Sequence, residues 1–187
     1  ARTKYVSWQL AWAIDQAPAE TPLSIVGYSY GARVATGALH LLAGGRLGEL
    51  ELAERRHASR PLIKAALVAA AVDADWIRPG GYHGRALQQA SELLLVNNHL
   101  DPAMRFYHMA FEGRARPLGL AGLSSRGVLG DYAAPIRSVD VTSVVGRHHA
   151  LDDYLAAGGP VGRVLGQVAQ FPAPAAPQPI SASLADK

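Results

Sequence analysis

The stretch "LSIVGYSYGARVATGALHLLAGG", residues 23–45, passes from an apolar run of strand type into a helical pattern, and at the join Ser29 stands between Gly27 and Gly31. Residues 24–28 are too short and too uniformly apolar for an amphipathic strand, so they read as a buried strand of parallel type. A helix is expected from about Tyr30 to the glycines Gly44 and Gly45, which suit a helix C-terminus. The pattern G-x-S-x-G therefore sits on a sharp strand-to-helix turn. Such a turn lifts a serine hydroxyl clear of the backbone and sets a backbone N–H close by to hold a developing oxyanion. The alternative is a small residue in a structural turn. The strand-helix context favours a nucleophile.

Outward from this join the pattern repeats. On the N-terminal side, residues 4–17 carry Val6, Leu10 and Ile14 at i, i+4 and i+8 with Trp8 and Trp12 beside them, which predicts a helix ending at Pro18. On the C-terminal side, "IKAALVAAAV" predicts a strand running up to Asp73, "ELLLVNN" a strand ending near Asp101, and residues 139–145 a last strand. Val161, Leu165 and Val168 suggest a terminal helix. Strands alternating with helices predict an α/β fold: three layers, a mostly parallel sheet with helices on both faces. Residues 1–171 are expected to form one domain, and residues 172–187, rich in Pro, Ala and Ser, an extended or disordered tail.

Composition narrows the function classes. The 187 residues are 49% apolar, enough for one buried core, and 18 basic against 15 acidic side chains leave a formal charge of +3. No run of like charge suggests a nucleic-acid surface, and "RRHASR" at residues 55–60 reads as a solvated face. Asp15, His40, Lys64 and Asp73 break the longest apolar stretches, so no membrane span is expected. The absence of cysteine removes thiolate metal sites and thiol nucleophiles without indicating a compartment, so localisation stays undetermined. His40, His83, His99 and His108 lack the spacing that sets two ligands on one helical face, and no phosphate-binding glycine motif follows a strand. Neither a metal nor a cofactor is expected.

At this point the chain resembles the α/β-hydrolase superfamily, whose active sites run Ser, then Asp or Glu, then His along the sequence. Asp101 in "LLLVNNHLDPAMRFY" and the pair His148–His149 in "VTSVVGRHHALDDYL" stand in that order after Ser29. The wording is also similar to a poorly characterised bacterial group of that superfamily, through "AAAVDADWI" and "VNNHLD", and the likeness runs from Lys4 to Phe171. The resemblance implies a serine hydrolase acting on a small-molecule ester or related acyl substrate, with Ser29 as nucleophile, His149 as base, Asp101 as orienting acid and the Tyr30 amide as an oxyanion donor.

Alternatives stay open at several positions. Asp101 precedes Pro102 and could be only a turn former, with Asp73 then supplying the acid. His148 competes with His149 for the base, and His149 is preferred because the aromatic Tyr154 lies nearer to it. Tyr28 and His148 are candidates to line the substrate pocket, alongside loops such as "GYHGRALQQ" and "RPLGLAGLSSRGVLGDYAAP". Only one helix precedes the elbow strand. Either the earlier strands of the fold, and the second oxyanion donor they carry, belong to a preceding part of a longer protein that could act as a partner to this chain, or a reduced fold makes its oxyanion hole differently; the first is preferred, because a sheet lacking its early strands would expose an apolar edge. A non-catalytic binding scaffold of the same fold is the rival reading, and a nucleotide-binding α/β domain a weaker one.

Overall fold

The computed structural model describes residues 2–56, 63–107, 116–123 and 136–156, together with 162 and 166. The expected tail at 172–187, His108, and the terminal helix suggested by Val161, Leu165 and Val168 lie outside the described residues. Helix α1 (Arg2–Gln16) precedes strand β1 (Ser24–Tyr28) and helix α2 (Gly31–Leu42); β2 (Ile63–Val68) and β3 (Ala90–Asn97) follow, with a 3₁₀ turn at Ala86–Gln88 between them. Short helices α3 (Pro102–Arg105) and α4 (Leu118–Ala121) lead to β4 (Ile136–Asp140), α5 (Thr142–Val145) and α6 (Leu151–Ala156).

The four strands form one sheet in the order β1-β2-β3-β4, every neighbouring pair parallel. This is the α/β class expected from the alternation of elements. Strands buried on both faces need a continuous apolar run, and β2 and β3 supply it over residues 65–68 and 93–96. Ala65, Leu67, Leu93 and Leu95 join Ala11 and Ile14 of α1 and Ala35, Leu39 and Leu42 of α2 in one cluster. Ala66, Val68, Leu94 and Val96 point the other way and pack with Val141, Val145 and Tyr154. Among the described residues no helix is long and apolar enough to cross a membrane.

Three details differ from the sequence reading. The face that α1 buries is Ser7, Ala11 and Ile14, whereas Val6 and Trp12 are exposed. Close approach to α2 selects small side chains here: a Cβ on Gly37 would lie 2.5 Å from the Ser7 hydroxyl oxygen. Strand β2 stops at Val68, five residues before Asp73, because Ala69 turns the chain with φ +44° while residues 69–72 remain buried. The last strand is Ile136–Asp140, not 139–145, since the Asp140 carboxylate accepts the Thr142 amide at 2.8 Å and turns the chain into α5.

Candidate functional site

Register brings the C-terminal ends of the strands together: Tyr28 pairs with Val68, Val68 with Val96, and Asn97 with Asp140. The segments leaving these ends thus share one rim, the place where parallel α/β sheets gather side chains from distant parts of a chain. Ser29, Asp101 and His149 all lie on it.

Ser29 occupies the turn with φ +50°, a left-handed conformation that a side chain adopts at a cost of roughly 1–3 kcal/mol. The surroundings hold it there. Its amide donates to the Val68 carbonyl at 2.9 Å, and its own carbonyl accepts the Ala32 and Ala71 amides, each at 3.1 Å. Gly27 permits the fold-back, because a Cβ on it would stand 2.8–2.9 Å from the backbone of Ala32 and Gly31. Gly31 itself faces open space, so crowding explains one of the two flanking glycines and not the other.

The Ser29 Oγ lies 3.2 Å from the Nε2 of His149, whose Nδ1 lies 2.7 Å from the Oδ2 of Asp101. A carboxylate can only accept, so the imidazole carries its proton on Nδ1 and turns the bare Nε2 toward the serine hydroxyl. The structure brings these three residues together in one hydrogen-bonded line. Asp101 is fully buried, and its two oxygens are divided: Oδ1 caps α3 by accepting the amides of Ala103 and Met104 at 2.9 and 3.2 Å, while Oδ2 faces the imidazole. The turn-forming reading of Asp101 and the acid reading therefore describe different oxygens of one side chain.

The other candidates lie elsewhere or act differently. Asp73 accepts the Asp75 amide at 2.9 Å and shapes the loop after β2. His148 is two-thirds exposed and reaches Asp153 at 3.3 Å, while its neighbour faces Ser29. Tyr28 donates its hydroxyl to the His149 carbonyl and sets its ring 5.3 Å from the imidazole, so it anchors the loop bearing that histidine. Burial, and then the Asp101 carboxylate, hold its phenol above the usual range. The half-exposed Tyr30 ring lies 5.2 Å from the Arg33 guanidinium, which also donates to the Ala71 carbonyl at 2.6 Å and to the Tyr107 hydroxyl.

Two contributors escaped the sequence reading. Arg33 carries no motif, yet it clamps the segment whose Ala71 amide holds Ser29. Tyr154 appeared only as an aromatic near the histidines, and nothing in sequence spacing shows that its hydroxyl reaches Asp101 at 2.6 Å. A groove of about 680 Å³ lined by Trp8, Trp12 and residues 51–56 contains none of the rim residues. Among the described residues, no group of three or more His, Cys, Asp or Glu side chains is placed to hold a metal ion. No family model, curated protein or solved structure matches this chain.

Proposed function

We propose that this chain carries the site of a serine hydrolase on a three-layer α/β-hydrolase-like fold, cleaving an ester or related acyl substrate through an acyl-enzyme. The observation that carries the reading is the continuous line from Ser29 Oγ through His149 to Asp101. A serine hydroxyl is a weak nucleophile near neutral pH unless a positioned base takes its proton. In the reading, Ser29 Oγ bonds to the acyl carbon as its proton passes to His149 Nε2, and the carbonyl oxygen becomes an oxyanion met by the Tyr30 amide. Collapse re-forms the carbonyl and breaks the bond to the leaving oxygen, which takes the proton from Nε2. Water then repeats the sequence on the acyl-enzyme, and the acid product leaves with Ser29 restored. Asp101 keeps the proton on Nδ1 and stabilises the imidazolium.

Two further features support the fold part of the reading. Helices α1 and α2 cover one face of the sheet, and Val145 of α5 with Tyr154 of α6 packs against the other. Among the described residues β1 pairs only with β2, and Val26 on it is 54% exposed, so its free edge can take the earlier strands that such a fold has.

The test is labelling with a fluorophosphonate probe, which reacts with base-activated serines far faster than with ordinary ones. The expected outcome is a single modification that disappears in Ser29→Ala. Equal labelling of Ser29→Ala, or none of the unsubstituted protein, would overturn the assignment and favour a binding scaffold.

A further inference from the structure

Asp101 is a buried carboxylate, and the atom that faces His149 is not shared with His149 alone. Oδ2 accepts two hydrogen bonds, from the His149 ring at 2.7 Å and from the Tyr154 hydroxyl at 2.6 Å. Tyr154 is fully buried at the fourth helical position of α6, in the cluster formed by Val68, Val96, Val141 and Val145. Its ring therefore has a fixed place, and its hydroxyl a fixed direction.

The phenol can only be the donor in this contact. A carboxylate oxygen can only accept, and burial first, then the hydrogen bond to Asp101, push the ionisation of the phenol above the usual tyrosine range. The groups facing this pair are few. Tyr28 of β1 lies 6.4 Å from the Tyr154 ring, Asn98 stands after β3, His148 and His149 come from the loop before α6, and Asp153 of α6 turns to His148. Among the described residues no lysine or arginine contacts Asp101, and four donors meet its carboxylate: two amides on Oδ1, one imidazole and one phenol on Oδ2.

We infer that Tyr154 is a positioning residue for the line of Ser29, His149 and Asp101: its hydroxyl holds Oδ2 in place and takes a share of the carboxylate charge that would otherwise fall wholly on the imidazole. The inference rests on the serine-hydrolase reading for its catalytic consequence, but not for the hydrogen bond itself. Two donors on one oxygen compete, so each weakens the other's bond. Removing the phenol strengthens the bond from His149 Nδ1 and stabilises the imidazolium, the form that cannot accept the serine proton. The Oδ1 amides still hold the carboxylate plane.

The experiment uses Tyr154→Phe, which keeps the ring in its apolar cluster. A thermal melt first confirms that the variant is folded. The expected result has two parts: the far-downfield proton resonance of the His149 Nδ1 hydrogen bond moves further downfield, and the acid limb of the fluorophosphonate labelling rate moves up by about half a pH unit to one unit. With a p-nitrophenyl ester, kcat falls on the acid side while KM changes little. A folded variant with both resonance and acid limb unmoved would overturn the inference, as would absence of that resonance from the unsubstituted protein. If the resonance shifts but neither protein is labelled at Ser29, the hydrogen-bonding role stands and the hydrolase reading falls.

Discussion

At the scale of single residues, the two adjacent histidines show how little separation along the chain sets a ring beside Ser29 apart from one at the surface. The His149 ring lies between Ser29 and Asp101, whereas the His148 ring points outward to the exposed carboxylate of Asp153. Exposed pairs of that kind contribute little to stability. Replacement of His149 by Ala is therefore expected to abolish hydrolysis of a p-nitrophenyl ester, a loss of roughly a thousandfold or more, while His148→Ala lowers it by less than about tenfold. Steady-state rates of the two purified variants decide it, and the reverse ranking would transfer the base to His148.

At the scale of elements, the β1–α2 turn depends on one glycine more than on the motif that contains it. A Cβ at Gly27 would press on the backbone of Ala32 and Gly31, which cannot move without displacing the start of α2. Overpacking of this kind costs about 1–3 kcal/mol or more. Gly27→Ala should lower the melting temperature by several degrees and weaken Ser29 labelling through the displaced turn. At Gly31 the same substitution meets open space at the first position of a helix, where alanine is favoured by several tenths of a kcal/mol up to about 1 kcal/mol. Its melting temperature should hold or rise. Differential scanning calorimetry of the pair is the measurement, and equal destabilisation would show that the motif's second glycine has a structural role the packing does not reveal.

At the scale of the whole molecule, two buried histidines link α2 to the loop after β2 and make stability depend on pH. His83 Nδ1 meets the Thr36 hydroxyl at 2.8 Å, and that hydroxyl donates to the Ala32 carbonyl, so the ring is the donor. His40 accepts the Arg85 amide on Nδ1 at 3.0 Å and meets the Arg46 carbonyl through Nε2 at 3.2 Å. Burial is the main cause that lowers both, His83 to about 3, with the neighbouring His40 and Arg33 adding to it. Between pH 6.5 and about 3 the unfolded chain then binds a proton at position 83 that the folded chain excludes. The stability is complete above pH 6.5 and is lost as pH falls, by at most about 1.4 kcal/mol per pH unit for that group. Urea midpoints measured at pH 7 and pH 4.5 should fall less for His83→Gln than for the unsubstituted protein, even though the variant begins less stable. An unchanged difference would remove His83 from the acid response.

Much of this architecture was legible in the chain because it depends on local pattern. Apolar runs such as "LSIVGY" and "ELLLV" read as strands, and their alternation with helical patterns implies a parallel sheet; the structure has four parallel strands, of which β2 and β3 are largely buried, whereas Val26 of β1 and three of the five β4 residues are open to solvent. The elbow around Ser29 and the chain order of Ser29, Asp101 and His149 were equally readable, since each is a matter of residue type and position. Tertiary structure alone decided the rest. Residues 69–72 are as apolar as a strand, yet they turn, because Ala71 is bonded to Ser29 and Arg33, and Gly119 pairs with Ala70. Nor does any local rule divide the two oxygens of Asp101 between a helix cap and an imidazole, or bring the Tyr154 hydroxyl to the second of them across 53 residues. Periodicity reports which residues face the interior. Which of them meet is set by strand register and by the packing of α6 on the sheet, contacts between segments far apart in the chain.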